Sequence, residues 1–328
     1  MEAYICSLGS YLPSRRVSNH ELAEIVDTSD EWIYSHTGIR FRHLAGEEQA
    51  ASDLGVEAAQ RALKAGGVSA DELDLILLAT STPDYPGLPA TACVVQDRLG
   101  AKHAAAMDLV AACSGFAYAL STARAFITAG QARNVMVIGS EVYSKILNWK
   151  DRNTCVLFGD GAGAALVSAA EDGGKSRILD SYLRSRGAGA TALYRSHGGS
   201  RNAYIPGTTP AEELYLKMNG RQVYNFAVPA LVETIETLLE RNGKSMADVA
   251  WIVPHHANVR ILHAAAKRGG YSFDRFYVNI EENANTSAAS IPIAMDEMYR
   301  KGMLTRGDLI LTVGFGAGLT YGGNLIAW

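Results

Sequence analysis

The chain has 328 residues, 48% of them hydrophobic and 20% charged, with a formal net charge of −4 at pH 7. This allows one large buried core or two of ordinary size, and it excludes a broad basic surface for nucleic acid. The longest apolar runs, such as LDLILLAT (73–80) and NVMVIGS (134–140), are too short to span a bilayer, and MEAYICSLGS lacks the charged n-region of a secretory signal.

Strand-like apolar runs alternate with helical patterns along the whole chain, which predicts an α/β protein. In chain order, helices are expected over 50–66, 89–99, 114–129, 229–242, 259–268 and 289–301, several of them closed by glycine. GVSADELDLIL (67–77) pairs without gaps with GKSMADVAWIV (243–253), an offset of 176, each a helix exit, a turn and a buried strand. The stretch from Cys113 to Gly130 pairs with the stretch from Asn285 to Gly302, an offset of 172. Each of these helices precedes a strand (NVMVIG, DLILTVG) and a glycine-rich hairpin (FGDGAGAALV, FGAGLTYGGNLI). Two copies of one α/β unit are therefore expected, 1–172 and 173–328, joined near AAEDGGKSR (169–177), with Cys113 and Asn285 at equivalent helix N-termini.

The four cysteines, Cys6, Cys93, Cys113 and Cys155, are scattered, with no C-x-x-C pair and no zinc-like His spacing, which predicts reduced cytosolic thiols and no metal. Cys113 lies in DLVAACSGFAYAL (108–120), where a strand gives way to a helix. Such a cysteine is either a small core residue or a thiol whose thiolate is favoured by the unpaired N–H groups of the helix. A nucleophilic thiol also needs a base and an oxyanion site. His255, in VPHHANVRI (253–261), follows a predicted strand at the end where ligands gather in α/β sheets; a lone histidine is more often a surface or hydrogen-bonded loop residue, and His20, His103, His197, His256 and His263 are read so. Asn285 in ENANTSAAS is either an N-cap or a neutral donor to a substrate carbonyl, and Gly316 in FGAG is either a turn glycine or a backbone N–H brought close to a ligand.

The wording of the motifs decides among these. DTSDEWIYSHTGIRFRH (27–43), AACSGFAYAL (111–120), FGDGAGAA (158–165), PHHANVRI (254–261), NTSAASIP (285–292) and FGAGLTYG (315–322) resemble, in order and spacing, the 3-oxoacyl-[acyl-carrier-protein] synthase III family of condensing enzymes, over nearly the whole chain. The resemblance implies a five-layered αβαβα thiolase-like fold of two pseudo-twofold halves, a homodimer in the cytoplasm, and no cofactor beyond a coenzyme A thioester substrate. It implies decarboxylative condensation of an acyl-CoA primer with malonyl carrier protein through an acyl-cysteine.

Carried over residue by residue, Cys113 is the nucleophile, His255 and Asn285 complete the triad, and the backbone N–H groups of Cys113 and Gly316 form the oxyanion site. Thr28, Trp32, His36, Arg152 and Arg260 fall at coenzyme A positions, Leu88 at an acyl-pocket position reaching into the partner subunit, and Arg260, Lys267 and Arg268 at carrier-protein positions. Four residues depart from the common pattern: His36 in place of Arg, Leu88 in place of Phe, Ala284 in place of Gly, and Asn225 where some relatives have Lys. His36 predicts weaker coenzyme A binding or a different donor, and Leu88 a longer or branched primer. The alternatives are a secondary-metabolite relative using an aryl or unusual acyl primer, an acyltransferase that releases no CO2, and a non-catalytic thioester or carrier-protein binding module.

Overall fold

The computed structural model describes residues 1–170 and 176–328. The expected junction between the halves, at 172/173, lies outside the described residues. The strands of the large sheet, β1–β9 in chain order, are Glu2–Tyr11, Leu75–Ala79, Ala105–Leu109, Asn134–Glu141, Gly161–Ala170, Arg177–Ser185, Val249–Pro254, Leu309–Gly316 and Thr320–Ala327. Its longer helices, α1–α7, are Asp30–Thr37, Ala51–Gly66, Thr91–Leu99, Gly115–Thr128, Gly220–Arg241, Val259–Gly269 and Ser290–Arg300.

The sheet order is β7-β8-β9-β6-β1-β5-β4-β2-β3. It divides between β6 and β1, which meet only at the pair Tyr4 and Arg177. On one side lie β3-β2-β4-β5-β1 and on the other β7-β8-β9-β6, where a parallel bridge between Ile252 and Phe276 stands in for a fifth strand. β2 pairs parallel with β4 as β7 does with β8, and β4 pairs antiparallel with β5 as β8 does with β9. The two halves thus repeat one topology.

Alternation along the strands makes the layers. In β2, Leu75, Leu77 and Ala79 face a central core, while Ile76 and Leu78 face an outer one under α2 and α3. In β8, Ile310 faces the central core and Leu309, Leu311 and Val313 the outer core under α5 and α6. α4 and α7 fill the middle, with Phe116, Leu120, Ile291 and Met295 buried in the central core. Each such large side chain contributes about 1.5–3 kcal/mol by leaving water. The order is helices, half-sheet, helices, half-sheet, helices: the expected five layers.

Three local expectations are corrected. α5 begins at Gly220, well before 229, because Asn219 accepts from the Gln222 N–H as an N-cap and the helix then runs through Pro229. FGDGAGAALV is not a tight hairpin: β5 pairs antiparallel with β4 but follows it after the long connection 142–160. The pairing of Cys113 with Asn285 is also displaced. The turn Ala112–Ser114 precedes α4 as Ser287–Ala289 precedes α7, so the fold sets Cys113 opposite Ala288. α4 has 14 residues and α7 has 11, and this shorter helix absorbs the shift, so the helix ends still match.

Candidate active site

The short turns before α4 and α7 lie against each other between the two half-sheets, and the chemistry gathers there. Cys113 belongs to the first turn, His255 follows the C-terminal end of β7, Asn285 precedes the second turn, and Gly316 ends β8. All four line one cavity of about 120 Å³, with Phe158 and Phe315 among its walls. The triad residues are buried, Cys113 to 3% exposure, His255 to 1% and Asn285 to 4%. A Cβ built on Gly316 would lie 2.6 Å from the Cys113 backbone nitrogen, so only glycine fits this close approach.

Asn285 is fixed by its backbone and by its own carbonyl. Its N–H donates to Leu157 O at 3.0 Å, and its C=O accepts from Gly159 N at 3.0 Å. Its side-chain Oδ1 accepts from the Ser287 N–H at 2.8 Å. The remaining polar atom, the amide nitrogen, has no protein partner among the described residues, so the side chain offers the cavity a donor. His255 lies edge-on to Phe315, ring centroids 5.2 Å apart, and its Nδ1 is buried with no hydrogen-bond partner among the described residues.

Burial dominates the electrostatics of the site. Burial pushes the Cys113 thiol up to about 12, with the Glu141 carboxyl adding to the rise and a hydrogen bond from Ser287 opposing it. Burial holds His255 down to about 3, neighbouring His256 adding to this and the Ser287 backbone opposing it. Burial therefore favours the neutral thiol and the neutral imidazole.

The residues expected near coenzyme A form a second cluster by the cavity mouth. Asn258, a cavity residue, donates to His36 O at 3.0 Å, and Arg260 Nε donates to Ser35 O at 3.1 Å, which ties α1 to the start of α6. The His36 ring stacks on Trp32 with centroids 4.4 Å apart, and its Nδ1 lies 2.7 Å from Trp32 O. The Arg152 guanidinium lies 4.8 Å from the Trp32 ring centre and donates to Asp27 O. The Thr28 hydroxyl is buried without a partner. Lys267 and Arg268 are exposed in the last turn of α6, and Asn225 is exposed on α5. Leu88 is outside the cavity of its own chain and 89% exposed; Val110, beyond the edge strand β3, is 79% exposed.

Two residues beside the site were not singled out from sequence. Glu141 ends the apolar strand NVMVIGSE and is fully buried, and Ser287 occupies the left-handed region at φ +50°. The signal for Glu141 was a charge closing an apolar run. The backbone of Ser287 gave none. His256, read as a surface or hydrogen-bonded loop histidine, is a hydrogen-bonded loop residue, buried, with its Nε2 2.9 Å from Tyr277 O. Among the described residues no cluster of His, Cys, Asp and Glu suits a metal ion, and no helix is long and apolar enough to cross a membrane.

Two layered α/β halves with a cysteine, a histidine and an asparagine in a cavity between their central helices define a thiolase-fold condensing enzyme. The family models for 3-oxoacyl-[acyl-carrier-protein] synthase III match residues 107–200 and, for its C-terminal part, 239–328. The chain is 49% identical to the beta-ketoacyl-[acyl-carrier-protein] synthase III of Caldanaerobacter subterraneus, covering 99% of this chain and 98% of that one. It is 45% identical to the enzyme of that name from Clostridium acetobutylicum, with 99% and 98% covered. The crystal structure of the Aquifex aeolicus synthase III superposes with a TM-score of 0.91 at 43% identity, over 99% of this chain and 100% of that one. The chain belongs to the 3-oxoacyl-[acyl-carrier-protein] synthase III family.

Proposed function

We propose that this enzyme condenses an acyl-CoA primer with malonyl carrier protein, through an acyl group on Cys113, to give a 3-oxoacyl carrier protein, free coenzyme A and CO2. The observation that carries the reading is the shared cavity of Cys113, His255, Asn285 and Gly316.

Both reacting groups start neutral, so the Cys113 proton leaves as sulfur attacks the thioester carbon, with neutral His255 as the base in the same cavity. The tetrahedral oxyanion is held by the backbone N–H groups of Cys113 and Gly316. Collapse expels the coenzyme A thiolate, which takes up the proton. Malonyl carrier protein then binds, CO2 leaves, and the enolate oxygen accepts hydrogen bonds from His255 and Asn285. An uncharged amide stabilises that oxygen without attracting the departing carboxylate. The enolate carbon attacks the acyl-cysteine carbonyl, and Cys113 leaves as the thiolate and is reprotonated by one proton taken up from solvent.

Trp32 and Arg152 are assigned to the adenine, with Thr28, His36 and Arg260 near the rest of the nucleotide, and Arg260, Lys267 and Arg268 to the acidic carrier protein. Leu88 is assigned to the partner subunit's acyl pocket in a homodimer. Residues 1–172 carry the nucleophile and 173–328 carry His255 and Asn285. The enzyme works in the cytoplasm and initiates fatty acid synthesis without a cofactor beyond its thioester substrate. The test is to supply acyl-CoA with and without malonyl carrier protein and measure CO2 and 3-oxoacyl product; thioester exchange with no CO2 would identify a plain acyltransferase.

A further inference from the structure

Behind the cavity, Glu141 ends β4 with no exposure to solvent and, among the described residues, no cation as its partner. Its Oε2 accepts from Thr82 Oγ1 at 2.7 Å, the Ser81 N–H at 3.0 Å and Thr80 Oγ1 at 3.3 Å. Its Oε1 accepts from Ser287 Oγ at 2.9 Å, and the Ala288 N–H also bonds the carboxyl. The Ser81 and Ala288 N–H groups can only donate, and the three hydroxyls can donate as well, so the pocket suits a carboxylate. Burial pushes the group up to about 7 while these bonds pull it back. A buried carboxyl held only by neutral donors is costly, and such cost is found where geometry must be fixed.

What it fixes is Ser287. That residue sits at φ +50°, a conformation a non-glycine residue adopts only when its surroundings impose it. The same residue donates its N–H to Asn285 Oδ1 at 2.8 Å. The chain of contacts is short and fully buried: Glu141 holds the Ser287 hydroxyl, Ser287 holds the Asn285 carbonyl, and the amide nitrogen of Asn285 is left as the free donor.

We propose that Glu141 is a positioning residue for the decarboxylation step, acting through Ser287 to hold the Asn285 amide with its N–H donor toward the substrate. The inference rests on the assignment of Asn285 to decarboxylation made above. It separates Glu141 from a residue that merely supports the fold, because a loss through Asn285 falls on one half-reaction and not on the other.

The experiment compares E141Q, S287A, N285A and the double variant E141Q/N285A in two assays. Acylation is read as intact mass after short straight-chain and branched acyl-CoAs. Decarboxylation is read as CO2 released from malonyl carrier protein. E141Q keeps the volume but sets an NH2 group against donors; S287A leaves Glu141 with its Thr80, Ser81 and Thr82 partners, so a folding defect in the first does not stop the test. E141Q is expected to acylate within about threefold of the unmodified enzyme and to decarboxylate at least about tenfold more slowly, short of the loss of a whole oxyanion donor; S287A, whose hydroxyl also bonds the Cys113 thiol, is read for decarboxylation, with the same loss expected. The double variant is expected to decarboxylate no more slowly than N285A. If N285A is impaired in decarboxylation while E141Q and S287A decarboxylate normally, or E141Q loses both steps equally, or E141Q adds to N285A, the inference is overturned and the role of Asn285 stands. If N285A itself decarboxylates normally, the role of Asn285 falls, and this inference with it.

Discussion

Gly316 and Cys113 approach so closely that a methyl group on the glycine would lie 2.6 Å from the cysteine's backbone nitrogen and 3.0 Å from its Cβ. Gly316→Ala must therefore push apart the two backbone segments assigned to the oxyanion. Removing one such donor typically costs about 100- to 1000-fold in turnover. The acylation rate of Gly316→Ala is expected to fall on that scale with the far-UV circular dichroism unchanged, and near-normal acylation would detach Gly316 from the oxyanion.

Asn285 offers the cavity only its amide donor. Asn285→Ala is expected to retain acylation of Cys113 and to lose decarboxylation by about 100-fold or more. Separate mass and CO2 assays check this, and equal loss of both steps would contradict the division of labour.

His255 gives the site a pH signature. Its imidazole is held down to about 3 in the folded protein against an ordinary 6.5. Between those values the unfolded chain binds the extra proton, so this group's contribution is complete above 6.5 and is lost as the pH falls toward 3. Glu141, raised to about 7 from 4.5, acts in the opposite sense, its contribution being complete below 4.5 and lost as the pH rises through 7. His255→Gln is expected to lose about 2 kcal/mol less stability than the unmodified protein between pH 7 and pH 4.5. Urea midpoints at the two pH values measure the difference, and identical pH dependence would show that His255 is not buried neutral.

Ala284 occupies φ +54° and ψ −158°, close to a region used almost only by glycine. It is the position where the sequence departs from the family's usual glycine. Ala284→Gly is expected to raise stability by about 1 kcal/mol, because relieved strain exceeds the lost methyl contact and the added chain freedom. A lowered thermal midpoint would contradict this.

The layered fold was legible because the repeat is written in strand and helix patterns: the turn and strand of Ala70–Ala79 and of Met246–Pro254 match at the offset read from sequence. The helix before Pro229 was not legible because proline usually opens a helix, whereas here the cap Asn219 starts it at Gly220, nine residues before 229. The slip that set Cys113 against Asn285 came from aligning helices of unequal length. The triad residues were visible through their motifs. The roles of Glu141 and Ser287 were not, since they depend on a strand end meeting a turn 146 residues away. Burial, which raises the Cys113 thiol, is likewise set by the whole fold, while the helix N-terminus is a local feature of the sequence.

The central claim is that Cys113 carries the acyl group, and intact mass measures it directly. After incubation with the panel of acyl-CoAs, the unmodified enzyme is expected to gain the mass of one acyl group per chain, and Cys113→Ala to gain none. Robust acylation of Cys113→Ala would contradict the account.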